Sequence, residues 1–86
     1  MYMEGNPETF HLVIASVGEK YFDGAAVSAS IPTVDEEITI LPHHEAIIAT
    51  LKKGIVTVRK TLGEDEVFTI DGGILECSDN RVTMLL

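Results

Sequence analysis

The residues best suited to chemistry in this sequence are consecutive His43-His44-Glu45, the single cysteine Cys77, the pair Gly72-Gly73, and two acidic runs, Asp35-Glu36-Glu37 and Glu64-Asp65-Glu66. Imidazole and carboxylate together bind zinc or move protons. In a strand, however, neighbouring side chains point to opposite faces, so adjacent histidines cannot both reach one ion from regular β backbone. A turn after Pro42 could relax that limit, yet no third ligand follows at the spacing of an HExxH site. These are read as turn histidines, and no metal is expected. Cys77 could act as a nucleophile with a histidine base, but a free cysteine in a strand is usually buried and inert. Gly72-Gly73 is followed by neither a lysine nor a helical pattern, so it is no phosphate cradle. It reads as a tight turn or a close backbone approach. Each acidic run reads first as a solvated turn; the sharper alternative is that one meets a cationic partner surface. Composition does not choose between the runs.

The elements that must carry these residues are strands. Val, Ile and Thr number 25 of 86 residues, against 13 for Ala plus Leu, and Cβ-branched side chains suit a pleated surface. Turn signals at Gly18, Asp23-Gly24, Pro32, Pro42, Gly54, Gly63, Asp71-Gly72-Gly73 and Asp79-Asn80 divide the chain into short pieces. Phe10, Leu12 and Ile14 share one face of the first, with His11, Val13 and Ala15 opposite. Val27, Ala29 and Ile31 alternate with Ser28 and Ser30, and Ile38, Ile40 and Leu41 close a third. Further pieces are expected at Ile55–Lys60, Glu66–Ile70, Ile74–Cys77 and Arg81–Leu86, the last two joined by Ser78-Asp79-Asn80. Periodicity leaves Ala46–Leu51 open between strand and helix. The expected fold is all-β, a small two-layer antiparallel β-sandwich of short strands.

At 86 residues the chain is expected to form one domain over residues 1–86, with a polar, flexible segment at 1–9. Fourteen acids against six bases give a net charge of −8, which repels phosphate backbones and anionic lipid headgroups; no nucleic-acid partner is expected. A lone cysteine excludes an internal disulfide. No signal peptide is visible, and the longest apolar runs, Leu12–Ala15 and Ala46–Ala49, are far short of a membrane span. The expectation is a soluble, intracellular protein without direct membrane insertion.

Leu41-Pro42-His43-His44 followed by Thr50-Leu51-Lys52-Lys53-Gly54 resembles the N-terminal β-sandwich of the epsilon subunit of F-type ATP synthases. Other pieces fit in order: Phe10-His11-Leu12 leading to Ser16, Tyr21-Phe22-Asp23-Gly24 as a first turn, Phe68 to Glu76 as the Gly-Gly strand segment, and Val82 to Leu86 as the closing strand. The similarity covers about Phe10 to Leu86. The family's glycine-rich loop is replaced by Thr33-Val34-Asp35-Glu36-Glu37-Ile38-Thr39, and His43 and Glu45-Ala46 stand in place of Gly and Ala-Pro. Typical members continue into a helical hairpin that can inhibit ATP hydrolysis and in some cases binds ATP, whereas this chain stops at Leu86.

The resemblance implies a non-catalytic rotor part, without a cofactor, that links the gamma subunit to the c-ring on the cytoplasmic face of the bacterial inner membrane and couples proton flow to ATP synthesis. It places Asp35, Glu36 and above all Glu37 at the c-ring, and Ser16, His44 and the neighbourhood of Ala49 at gamma. Two readings from other classes stand beside it. One is a stand-alone β-sandwich binding a small ligand or peptide, which needs a concave apolar pocket. The other is a small hydrolase, which needs Cys77 or His43 and His44 to converge.

Overall fold

A computed structural model describes residues 8–86; the expected flexible segment at 1–9 falls mainly outside that range. The described residues form β1 (Phe10–Ser16), β2 (Glu19–Ala26), β3 (Ser28–Pro32), β4 (Glu37–Ile40), β5 (Ile47–Arg59), β6 (Glu66–Ser78) and β7 (Arg81–Leu85), and no helix. β1 and β3 follow the alternation of their sequences, with Phe10, Leu12, Ile14, Ala29 and Ile31 buried. Ala46–Leu51, open on periodicity, is strand from Ile47 onward.

Three expectations are corrected. Tyr21-Phe22-Asp23-Gly24 is not a turn but lies inside β2; the chain reverses one step earlier, at Val17-Gly18. β2 is an edge strand, where Asp and Gly are tolerated because one side of the backbone needs no partner. Ile55–Lys60 is not a separate strand but, as far as Arg59, the end of the 13-residue β5, and Glu66–Ile70 and Ile74–Cys77 are one strand, the 13-residue β6. Nor is the pairing wholly antiparallel: β1 runs parallel to β7, from His11 beside Arg81 to Ala15 beside Leu85.

The hydrogen-bonded order is β2-β1-β7-β6-β5-β3-β4, a single sheet. What turns one sheet into two layers is a change of face in its long hairpin. Along β5 the buried position is Leu51, then Val56 and Val58; along β6 it is Ile70, then Leu75 and Cys77. An odd-to-even change of inward position requires a bend, and the register places Lys52 opposite Gly72 at that point. Gly72 and Gly73 have φ of 146° and 138°, which side-chain-bearing residues avoid. A Cβ on Gly73 would also collide with the Leu85 carbonyl oxygen. The glycine pair is therefore a close backbone approach within a strand.

The first layer is β2, β1, β7, the second half of β6 and the first half of β5. The second layer is the remaining halves of β6 and β5, with β3 and β4. Leu12, Ile14, Val82, Met84 and Leu75 from the first layer meet Val56, Val58, Ile31 and Ile40 from the second in one fully buried cluster. Each such side chain stabilises the fold by about 1.5–3 kcal/mol relative to exposure. Phe22 and Phe68 close the cluster edge to face, with ring centroids 6.2 Å apart.

Candidate functional site

Asp35 and Glu36 lie in the β3–β4 turn and Glu37 opens β4 opposite Pro32; all three are exposed. The glycine-free turn needs no positive φ among these residues, because the buried Thr33 organises it. The Thr33 hydroxyl accepts from the Asp35 N–H (3.3 Å) and the Glu36 N–H (3.1 Å) and donates to the Glu36 carbonyl. The Val34 N–H donates to the Thr50 carbonyl at 2.9 Å, which leans the turn against the first layer. The two acidic runs, alike in sequence, separate here. Asp65 lies 4.0 Å from Arg59 and Glu66 2.7 Å from Lys60. Among the described residues no cation pairs with Asp35, Glu36 or Glu37.

Ser16 ends β1, with its hydroxyl 3.2 Å from the Tyr21 hydroxyl. His44 lies in the β4–β5 loop, where its Nδ1–H donates to the Glu45 carbonyl at 2.7 Å. The acidic turn and Ser16 share one end of the first layer, and His44 sits at the other, roughly 20 Å away along β1. Ala49 faces inward, in a row with Ile14, Met84 and Leu75, and packs against the core. Ile48 and Thr50 on either side of it point outward.

Those outward positions belong to a larger feature that reading residue by residue misses. Register puts Val13, Thr83, Glu76 and Ile48 in one row across the outer surface of the first layer, and Ala15, Leu85, Ile74 and Thr50 in the next. Ile48 is 76% exposed, Leu85 57% and Ile74 52%. Ile74 and Leu85 are direct cross-strand partners, and Ile48 lies diagonal to Ile74, with Glu76 and Thr50 at the other two corners. A signal was present in the sequence. Ile47-Ile48, Ile74-Leu75 and Met84-Leu85 place apolar residues back to back, the pattern of a strand covered on both faces. On its β1–β2 side this surface has a polar rim in which Asp23 accepts from His11 Nε2 (2.7 Å) and Lys20 Nζ (3.0 Å). Lys20 first, then His11, hold the Asp23 carboxyl below its ordinary value.

A concavity of about 540 Å³ opens between the layers beside Ser16, Tyr21, Phe68, Asp71 and Leu86. It exists because the first half of β6 has no strand on its outer side. Cys77 lies in the core, where burial pushes its thiol up and away from the reactive thiolate. His43 contacts Glu8 at 3.3 Å, so the groups a hydrolase would need have different neighbours. Among the described residues no three His, Cys, Asp or Glu side chains gather as metal ligands.

Comparison with known proteins decides the family. The family described as ATP synthase, delta/epsilon chain, β-sandwich domain matches residues 9–86. The chain belongs to that family. Among curated members of this ATP synthase delta/epsilon group, it is similar to the ATP synthase epsilon chains of Nitrosomonas eutropha and Nitrosomonas europaea, each 37% identical over 76 residues. That alignment takes in 88% of this chain and 54% of each relative, so the chain spans about half the length of the curated relatives it matches. The fold also recurs in solved structures. A chain of the Euglena gracilis mitochondrial ATP synthase (OSCP/F1/c-ring, rotational state 1) superposes with a TM-score of 0.84 at 24% identity, covering 99% of this chain and 55% of that one. A chain of the Tetrahymena thermophila mitochondrial ATP synthase central stalk/c-ring gives 0.76 at 18% identity, covering 94% and 65%. At those identities the likeness is one of fold.

Proposed function

We propose that this sandwich is a non-catalytic rotor part of an F-type ATP synthase, joining the gamma subunit to the c-ring and coupling proton flow to ATP synthesis at the cytoplasmic face of a bacterial inner membrane. The observation that carries the reading is the apolar outer surface of the first layer, bordered at one end by an acidic turn free of cation partners among the described residues. Gamma covers the apolar surface, with Ile48, Thr50, Ile74 and Leu85 at its centre and Ser16 and His44 at its two ends. Asp35, Glu36 and Glu37 face the polar loops of the c-ring, where complementary charge sets orientation. Ala49 acts by packing behind Ile48. A rotor junction has to transmit load without yielding, and a close-packed core supplies that stiffness. No cofactor enters the reading.

The direct test is association of the purified chain with isolated gamma subunit. Micromolar or tighter binding is expected, and its absence at that concentration overturns the gamma assignment. In membranes whose ATP synthase carries this chain, Glu37→Lys should lower proton pumping per ATP hydrolysed; unchanged coupling removes Glu37 from the c-ring contact. The stand-alone ligand module rests on the groove beside Ser16 and Tyr21. There, however, the two hydroxyls already partner each other, and the space is open to solvent.

A further inference from the structure

The β6–β7 turn does more than reverse the chain. Asp79 and Asn80 have φ of 52° and 61°, the left-handed pair of a tight two-residue hairpin turn. Asn80 then uses three groups on two other elements. Its carbonyl accepts from the His11 N–H at 3.1 Å, and its Nδ2–H donates to the Thr9 carbonyl at 2.9 Å, both at the start of β1. Its Oδ1 accepts from the His43 N–H at 2.7 Å, in the β4–β5 loop. His43 is itself held at φ 65°, a conformation in which a side chain is strained. One amide side chain thus spans from β1 to a loop that would otherwise favour glycine at position 43, and that loop carries His44 and leads into Ile47-Ile48.

We infer that Asn80 is a positioning residue for gamma docking: it clasps the β4–β5 loop to β1 and so fixes the end of the apolar surface where His44 sits. The inference rests on the gamma reading above. Asn80 itself need not touch gamma. Its two side-chain bonds run in opposite senses, one accepted and one donated, so no apolar residue replaces it and aspartate replaces only half.

Three proteins test it: the chain as it is, Asn80→Gly and Asn80→Asp. Glycine adopts φ near 61° at least as easily as asparagine, so Asn80→Gly keeps the turn while removing both side-chain bonds. The readouts are amide exchange at His43 and affinity for isolated gamma subunit. The unaltered chain and Asn80→Asp should protect the His43 amide, and Asn80→Gly should not. Affinity should fall roughly five- to tenfold in Asn80→Gly, the worth of one or two hydrogen bonds, and less in Asn80→Asp. An unprotected His43 amide in the unaltered chain overturns the clasp. Gamma affinity within about twofold of the unaltered chain in Asn80→Gly, with His43 protection lost, overturns its role in docking. If the unaltered chain fails to bind gamma, the gamma reading falls with the docking role, while amide exchange still decides the clasp.

Discussion

The two outer surfaces of the sandwich are built from the same two long strands, yet they present different chemistry to solvent. On the first layer the outward side chains of β5 and β6 include Ile48 and Ile74, joined by Leu85. On the second layer a row of Thr39, Ser30, Thr57 and Val67 crosses four strands, with Ser28 nearby and Ile55 and Thr69 alongside. Hydroxyls dominate there, with two aliphatic side chains among them. Both layers obey the same inner alternation, so burial in the core cannot explain the difference. The exposed aliphatics of the second surface, Ile55 and Val67, stand among hydroxyls, whereas Ile74 and Leu85 on the first are direct cross-strand partners, and the proposal above has only that surface covered.

The largest expected effect comes from the bend that creates two surfaces at all. Gly73→Ala forces a Cβ against the Leu85 carbonyl at a φ suited to glycine. Strain and overpacking of this kind should remove about 2–4 kcal/mol, read as a lower midpoint in urea unfolding. Next comes the comparison itself. Ile48→Glu with Ile74→Glu should weaken gamma binding about a hundredfold or more by calorimetry, the loss expected when an interface centre is charged. Its melting temperature should hardly change, because both side chains are exposed. Thr57→Glu, on the other surface, should leave affinity within about twofold. Equal losses from both would erase the distinction between the layers.

The smallest effect concerns the rim. Lys20 and His11 depress the Asp23 pKa in the folded state, so the ionised carboxylate contributes stability that is present above the ordinary aspartate value of 3.8. That contribution is lost as pH falls through the depressed folded value. The stability difference between the protein and Asp23→Asn should therefore be steady at neutral pH and shrink below about pH 4, as urea titrations across pH would show. A difference that stays constant into acid would mean the carboxylate gains nothing from its partners.

Much of this was legible beforehand, and the failures share one cause. Strand existence is a local property: Phe10-His11-Leu12-Val13-Ile14 and Ser28-Ala29-Ser30-Ile31 state their alternation outright. Pairing is not local. Nothing within either stretch shows that β1 lies parallel to β7, some seventy residues later in the sequence. A glycine in a sequence marks a break or a close approach alike, and here the second holds. Gly54 and Gly72-Gly73 mark places where one backbone passes close to another chain segment, Pro32 for the first and Leu85 for the last, inside uninterrupted strands. The candidate surface was only partly legible for the same reason. The family resemblance led to Ser16, His44 and Ala49, but which of Ile48, Ala49 and Thr50 faces out depends on strand phase, and the bend resets that phase. In sequence Asn80 signals only a turn, because its partners at Thr9 and His43 are distant along the chain.

The side-by-side placement of β1 and β7 has a consequence for biosynthesis. The middle of the first layer stays empty until β7 has been made, so the β1–β2 hairpin leaves the ribosome early and must wait with its apolar side uncovered. Closure belongs to the moment after translation has passed Leu85. Until then the nascent polypeptide is open to aggregation or to chaperones.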